Sequence, residues 1–147
     1  MPVFERTLTF PRPVAEVFEF FLRPANLLRV SPPELHLTLV DPPERLQLGS
    51  RVTLKGRRWG IPQRITSEVI KLEANVLFMD EQRSGPFRKW LHTHRFTQVP
   101  EGTQVQDTID FEAPGGLLGL VVTESFILKD LGKVFAYRAE RVRELLG

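Results

Sequence analysis

Two histidines and an aspartate occupy positions from which their side chains could act together. His92 and His94 are two residues apart, so in a β-strand both side chains lie on the same face. The short turn Pro100-Glu-Gly102 then leads to a second predicted strand, which contains Asp107. If these strands pair with residue numbers that add to about 201, His94 faces Asp107. Such a pair can transfer protons, anchor a polar group of a ligand, or join strands by hydrogen bonds.

The rest of that face of the hairpin is apolar. The same register gives the facing pairs Trp90–Phe111, His92–Ile109 and Phe96–Val105. The opposite face is mostly polar and is expected to meet solvent; it carries Lys89, Thr93, Arg95, Gln106, Thr108, Asp110 and Glu112. On the preceding strand Phe78, Asp80 and Gln82 share one face, and the turn 84–87 brings them near Trp90 and His92.

Four interpretations of this inward polar group remain open. An unpaired buried polar group costs roughly 1–3 kcal/mol, so the side chains could form a structural network between strands. They could instead orient a ligand in a pocket, or act as an acid–base pair formed by His94 and Asp107. A metal site at His92 and His94 lacks a clear third ligand. The sequence contains no phosphate-binding loop, dinucleotide fingerprint or nucleophile elbow, so we expect no metal and no cofactor.

The predicted elements are one strand, two short helices, six strands and one long helix. The strands are placed at 3–10, 34–41, 50–58, 63–72, 75–83, 89–99 and 103–113, and the short helices at about 13–23 and 25–30. Short turns between successive strands predict an antiparallel sheet. From about 116 to 146 the apolar residues recur at helical spacing: Leu117, Leu120, Val121, Leu128, Leu131, Phe135, Val142 and Leu145.

The long helix is the only predicted element large enough to cover the sheet, since about 30 residues span about 45 Å. This predicts an α+β fold in which an antiparallel sheet wraps around the C-terminal helix and leaves a pocket between them. Arg138, late in this helix, either pairs with an inward acid such as Asp80 or lies along the surface. Trp59 either caps the mouth of the pocket or packs against its neighbours. Residues 114–119 form either a flexible gate or the corner between the last strand and the long helix.

The composition restricts the class of protein. The 147 residues are 41% hydrophobic and 26% charged, which predicts one folded domain over 1–147. Net charge is only +2 and basic residues are dispersed, which argues against nucleic-acid binding. There is no cysteine, no signal-like apolar core and no apolar run of about 18 residues. We therefore expect a cytoplasmic protein without stable membrane insertion.

Several motifs resemble the ligand-binding SRPBCC proteins of the START-like, helix-grip superfamily, which includes polyketide cyclases and lipid carriers. The main one runs Asp80-x-Gln82-x-x-Gly85-Pro86-Phe87-x-x-Trp90-x-His92-x-His94-x-Phe96, followed by Gly102-Thr103-x-Val105-x-Asp107. Others are Phe18-x-Phe20-Phe21, Asn26-Leu27, Ser31-Pro32-Pro33 and Phe135-x-Tyr137-Arg138. The resemblance implies seven antiparallel strands around a C-terminal helix, two small helices closing one end, and a deep cavity for hydrophobic ligands.

Three functions follow as hypotheses. The first is binding or carriage of a small hydrophobic molecule, lipid-like or polycyclic. The second is an enzyme of cyclase, dehydratase or hydrolase type that uses His94 and Asp107. The third is an interaction module, and we expect a monomer or a homodimer. The predicted ligand-binding residues are Phe78, Asp80, Gln82, Trp90, His92, His94, Phe96, Val105, Asp107, Ile109 and Phe111.

Overall fold

The computed structural model describes residues 2–147 and confirms the predicted α+β helix-grip architecture. Its elements are β1 (Val3–Phe10), α1 (Val14–Phe21), α2 (Pro24–Arg29), β2 (Thr38–Val40), β3 (Arg51–Arg58), β4 (Ile61–Glu73), β5 (Leu77–Ser84), β6 (Lys89–Val99), β7 (Gly102–Glu112) and α3 (Glu124–Leu146). The seven strands form one sheet in the order β1-β7-β6-β5-β4-β3-β2, and every neighbouring pair is antiparallel. No helix in the described part of the chain is long and apolar enough to span a bilayer.

The hairpin of β6 and β7 has the predicted register. Trp90 pairs with Phe111, His94 with Asp107, and the other pairs also add to 201. Alternate residues of β7 from Thr103 to Phe111 are buried, as period-two alternation requires. The register is fixed because a slip of one residue would move this whole apolar set to the solvent face.

Two predicted boundaries are wrong. The second strand does not run over 34–41, because Pro33–Leu35 forms a short 3-10 helix that ends at His36 in a left-handed conformation (φ 47°). The long helix begins at Glu124 rather than near 116. Thr123 caps this start, because its side chain accepts a hydrogen bond from the backbone N–H of Phe126.

The segment before α3 is therefore a corner rather than the first turns of the helix. A short 3-10 helix covers Leu118–Leu120, and the Val122 N–H donates to the Leu118 carbonyl over 2.8 Å. Leu117, Leu120 and Val121 are 73–85% exposed, so they do not belong to the apolar stripe that α3 buries.

The core consists of two apolar clusters, and α3 contributes to both. One cluster contains Val142 and Leu146 together with the aromatic residues Phe10, Phe18, Phe78 and Phe96. The other contains Leu131 and Phe135 together with Phe4, Phe87, Ile109 and Phe111. The ring of His94 stacks on Phe78 of the first cluster, with centroids 4.0 Å apart. The ring centroid of His92 lies 6.0 Å from that of Phe135 in the second cluster. The two histidines therefore lie between the two apolar clusters.

Candidate functional site: two adjoining cavities beside a histidine–aspartate network

Two adjoining cavities lie between the central strands, α2 and α3. Their volumes are about 130 Å³ and about 220 Å³, and they share six lining residues: Leu27, Leu54, Ser67, Asp80, His94 and Arg138. The smaller cavity is lined mainly by Phe20, Phe21, Val30, Leu46, Val52, Val69 and Phe78. The larger one adds Leu35, Leu37, Ile65, Phe87, Trp90 and His92, with polar groups from Ser31, Gln63, Gln82 and Arg58.

The wall of the larger cavity includes a close approach between Gly56 of β3 and the backbone of Leu35. A Cβ atom at this position would lie 2.6 Å from the carbonyl oxygen of Leu35, far inside contact distance. Glycine therefore allows the short 3-10 helix Pro33–Leu35 to lie directly against β3. This contact brings Leu35 and Leu37 into the cavity wall.

Four side chains of β5, β6 and β7 form one continuous chain of polar contacts, in which Asp80 is half-buried and the other three are buried. Asp107 Oδ1 lies 2.8 Å from His92 Nε2 and 3.2 Å from His94 Nδ1. His94 Nε2 lies 2.9 Å from Asp80 Oδ2, and the two imidazole rings stack with centroids 3.7 Å apart. The order is therefore Asp80–His94–Asp107–His92. His94 directly faces Asp107 as predicted, whereas the two shortest contacts run diagonally between neighbouring strands.

This geometry favours the doubly protonated form of His94. A neutral imidazole has only one N–H, yet both ring nitrogens of His94 face carboxylate oxygens. Burial by itself would lower the pKa of His94, but the contacts with Asp107 and Asp80 outweigh it and raise the pKa to about 9. His94 is accordingly an imidazolium held between two carboxylates at neutral pH.

The protonation states of His92, Asp80 and Asp107 depend on the positive charge of His94. Burial, together with the positive charge of His94, lowers the pKa of His92, so His92 is neutral and donates its Nε2–H to Asp107. Burial alone would raise the pKa of both carboxyl groups, but hydrogen bonds from the histidines lower the pKa of Asp107 and of Asp80. Both aspartates are therefore ionised.

Arg138 lies at the junction of the two cavities. Its side chain is half-buried, lines both cavities, and places the guanidinium carbon 4.5 Å from the ring centroid of Phe135. The Nε atom is fully buried and has no hydrogen-bond partner. Burial lowers the pKa of the guanidinium, and the carboxylates of Asp107 and Asp80 oppose that shift. Arg138 thus points inward as one alternative expected, but no carboxylate among residues 2–147 is within 4.0 Å of it.

The predicted site residues fall into two groups. Those that line the cavities are Phe78, Asp80, Gln82, Trp90, His92 and His94. Four others, Phe96, Val105, Ile109 and Phe111, are at most 3% exposed and pack in the core clusters. Asp107 is also buried and contacts the cavity only through the histidines. A role in ligand binding stays a prediction for all of them.

Gln82, which lines the larger cavity, and Trp59, which lines neither cavity, both support Phe87 in the cavity wall. The side chain of Gln82 donates from Nε2 to the carbonyl oxygen of Phe87 over 2.6 Å, which fixes the turn before Trp90. Trp59 packs against Phe87 and Phe126, with ring centroids 5.8 and 6.4 Å away. Trp59 is not among the residues that line the two cavities.

Sequence reasoning missed the contribution of β3 and β4 to the cavities. Val52, Leu54 and Gly56 occupy alternate positions of β3, and Ile65, Ser67 and Val69 occupy alternate positions of β4. The signal was present, because period-two alternation places each set on one face. It was weak, since Gly56 and Ser67 interrupt the apolar pattern.

Asp80, His92 and His94 also meet the spacing of a metal site, since one ligand atom from each lies within 4.8 Å of the others. Asp80 is the third ligand that the sequence did not identify. Metal ligation requires a free lone pair on each imidazole. Both nitrogens of His94 face carboxylates, so His94 has no free lone pair, and His92 keeps only Nδ1 free because its Nε2 is bonded to Asp107. The donor chemistry therefore favours a hydrogen-bonded network over a metal centre.

Comparison with known structures supports this architecture. A protein from Thermus thermophilus superposes with a TM-score of 0.69 at 21% identity, covering 99% of this chain and 100% of that one. A protein from Chromobacterium violaceum superposes with a TM-score of 0.76 at 10% identity, covering 98% of this chain and 96% of that one. Ginseng major latex-like protein 151 from Panax ginseng superposes with a TM-score of 0.67 at 16% identity, covering 95% of this chain and 97% of that one. At these identities the likeness shows the fold.

The family is identified from the sequence. No curated protein sequence matches the chain. The family described as polyketide cyclase / dehydrase and lipid transport matches residues 1–146. This match covers the whole sheet, both cavities and α3. The chain belongs to the polyketide cyclase / dehydrase and lipid transport family.

Proposed function

We propose that this protein binds and carries a small, mainly apolar molecule in the two adjoining cavities. The observation that carries the proposal is the distribution of polarity in the walls. Aromatic and aliphatic side chains form most of the lining of the smaller cavity, the charged groups Asp80, His94 and Arg138 lie in the shared wall, and the larger cavity adds apolar side chains together with the polar residues Ser31, Arg57, Arg58, Gln63, Gln82 and His92. An apolar pocket with a few convergent polar groups is the usual form of a small-molecule site. Lipid transport is among the activities in the family description.

Trp90 offers a direct assay of binding. The chain has two tryptophans, and only Trp90 lines a cavity. A Trp59→Phe variant therefore carries a single fluorophore at the proposed site. We expect apolar ligands from a lipid and polycyclic panel to change its emission. A ligand at 100 times its Kd should stabilise the fold by about 2.7 kcal/mol. For a domain of this size that is a rise in Tm of roughly 5–10 °C.

A cavity-filling variant tests the location. Ser67→Phe adds a ring where the two cavities meet, and Ile70→Phe adds a ring at an exposed position of β4. Ser67→Phe should abolish the fluorescence and Tm responses, and Ile70→Phe should keep them. Native mass spectrometry of the protein purified from its own host would show the retained molecule. Equal binding by both variants, or no response to the whole panel, would refute the proposal.

One observation favours an enzymatic alternative, although with a different residue from the one first expected. His94 has both nitrogens occupied, but His92 uses only Nε2 to bond Asp107 and lines the larger cavity. A buried carboxylate that holds one nitrogen orients the imidazole for proton transfer at the other. If the protein is a cyclase, dehydratase or hydrolase, His92→Gln should abolish turnover of the host-derived ligand while binding persists. A ligand whose mass and NMR spectrum are both unchanged after incubation with the wild-type protein would exclude this function for that ligand, since a cyclisation can leave the mass unchanged.

A further inference from the structure

The corner between β7 and α3 is anchored in the core at both ends and carries apolar side chains on its outer surface. Pro114 and Val122 are buried, and Leu118 packs against the core between them. The N–H of Val122 donates to the carbonyl oxygen of Leu118, which closes the corner. Three aliphatic side chains of the corner are more than 70% exposed: Leu117, Leu120 and Val121. The corner therefore projects these three side chains into solvent while its other side is held by the core.

Two further exposed apolar residues lie at the same end of the molecule. Phe126 is in the first turn of α3, and its ring centroid lies 6.4 Å from that of Trp59 in the turn between β3 and β4. Ile61 begins β4 directly after that turn. A single exposed leucine is ordinary on a protein surface, whereas several exposed apolar side chains at one place indicate an interaction site. We call this surface the apolar end; it consists of Ile61, Leu117, Leu120, Val121 and Phe126.

The segments that form the apolar end are basic. They are residues 57–64, 86–89 and 112–133, and the fold brings them together: Arg58 pairs with Asp130, and the side chain of Arg88 lies against Gly115. These segments contain seven basic and three acidic residues, a net charge of +4, whereas the whole chain has a net charge of only +2. Basic residues that are dispersed along the sequence are thus concentrated around the exposed apolar side chains.

We propose that the apolar end docks the protein reversibly on the surface of an anionic lipid bilayer. Aliphatic side chains enter the headgroup region, and the surrounding arginines and lysines contact lipid phosphates. A second copy of the chain is a poorer partner, because two copies that met through this end would bring like charges together. A nucleic acid would pair with the charges but would leave the aliphatic side chains without an apolar partner.

This inference goes beyond the proposed function, because docking requires no molecule in the cavities. The two are nevertheless adjacent in the structure. Arg57, Arg58 and Phe87, which belong to the segments around the apolar end, also line the larger cavity. Docking in this orientation places the wall of the larger cavity next to the bilayer.

Sedimentation with lipid vesicles measures the docking. Vesicles of phosphatidylcholine with phosphatidylglycerol should bind the protein at least about 5-fold more tightly than vesicles of phosphatidylcholine alone. Leu117→Ser combined with Leu120→Ser should weaken binding to the anionic vesicles by at least about 10-fold, because two leucines no longer leave water. Leu48→Ser is the matched control and should bind normally. Leu48 is 68% exposed, and it precedes β3, at the end of that strand opposite the turn with β4.

A fluorescent label locates the contact. The chain has no cysteine, so Val121→Cys creates a single labelling site on the corner and Leu48→Cys creates one away from it. An environment-sensitive dye at 121 should shift its emission to the blue when anionic vesicles are added, and the same dye at 48 should not. Both positions are exposed, so neither substitution disturbs the core.

The outcomes are separable from those of the ligand assays, since no cavity ligand is added. Absence of binding to anionic vesicles, or equal loss of binding in the corner variant and in Leu48→Ser, would show the inference to be wrong. A blue shift at both labelled positions would also contradict it, because the contact would then not be confined to the apolar end. If the protein instead forms a dimer that the corner variant loses, and vesicles are not bound, the apolar end is an interface between copies and the inference fails.

Discussion

The stability of the fold should fall as pH rises from about 6.5 to about 9. His94 has a pKa raised to about 9 in the folded protein, against 6.5 for an ordinary histidine. Below pH 6.5 both the folded and unfolded forms hold this proton, and the stabilisation is fully present. Between 6.5 and 9 only the folded form holds it, so the free energy of unfolding decreases with pH. One pKa unit corresponds to about 1.4 kcal/mol, so the loss is about 3 kcal/mol.

The acid side has the opposite sign and a different cause. The pKa of Asp107 is lowered by its contacts with the histidines, and the pKa of Asp80 is lowered by His94. Their contribution is present above an ordinary aspartate pKa and is lost as pH falls below it. His92 has a lowered pKa, so its contribution is lost as pH falls through 6.5. Stability should therefore be greatest near pH 6.5 and decline on both sides.

Urea denaturation at pH 6.5, 7.5, 8.5 and 9.5 measures the loss directly. His94→Gln removes the titrating group, so its stability should be lower at pH 6.5 but nearly independent of pH over this range. His36→Asn is the matched control, because His36 is exposed and Asn tolerates its left-handed backbone. It should keep the full pH dependence of the unsubstituted chain.

A direct titration of the ring checks the cause. The imidazole nitrogens of His94, followed by NMR, should both stay protonated until pH approaches 9. Asp80→Asn removes one of the two carboxylates, so it should lower the pKa of His94 and reduce the slope of stability against pH. A His94 titration near 6.5, or a flat stability profile up to pH 9.5, would refute the assignment of an imidazolium between two carboxylates.

Two further predictions concern packing. Leu131→Ala should lower the free energy of unfolding by about 2–5 kcal/mol, because Leu131 is 2% exposed in the core, whereas Leu117→Ala at an 85% exposed position should change it by less than about 0.5 kcal/mol. Gly102→Ala should cost at least about 1 kcal/mol more than Gly49→Ala, since both glycines have positive φ but of the two only Gly102 would place a Cβ against backbone, where it would collide with the carbonyl oxygen of Phe10. Urea denaturation checks both pairs.

The sequence was most informative where a single period ran without interruption. In β6 and β7 the alternation fixed both the inward face and the facing partners, because only one register buries the apolar set. It failed before α3, where Leu117, Leu120 and Val121 continue the helical spacing but are exposed. Spacing alone does not identify where a helix begins. The Thr123 cap does, because it satisfies a backbone N–H that the first turn of the helix leaves free.

The contacts within the site were less predictable than the strands that carry it. Register brings His92, His94 and Asp107 together, but side-chain rotamers decide whether a carboxylate contacts its direct partner or a diagonal one. The position of Arg138 depends on how α3 is rotated against the sheet. The sequence constrains that rotation only through the apolar stripe of α3, and Arg138 lies next to Ala139 and near Phe135, both of which are buried.

The network itself divides into an inner part and a cavity-facing part, and this division decides what each could do. Asp107 is 6% exposed, contacts both histidines and lines neither cavity, so its role is to fix their protonation and orientation. Removing it leaves a buried histidine N–H and a buried imidazolium without their acceptor, which is expensive whatever the cavity binds. The side chain of Arg138 lines both cavities, and its buried Nε has no hydrogen-bond partner among residues 2–147. Loss of Asp107 should therefore be detected mainly as loss of stability, whereas loss of Arg138 should be detected mainly as a change in which ligands are accepted.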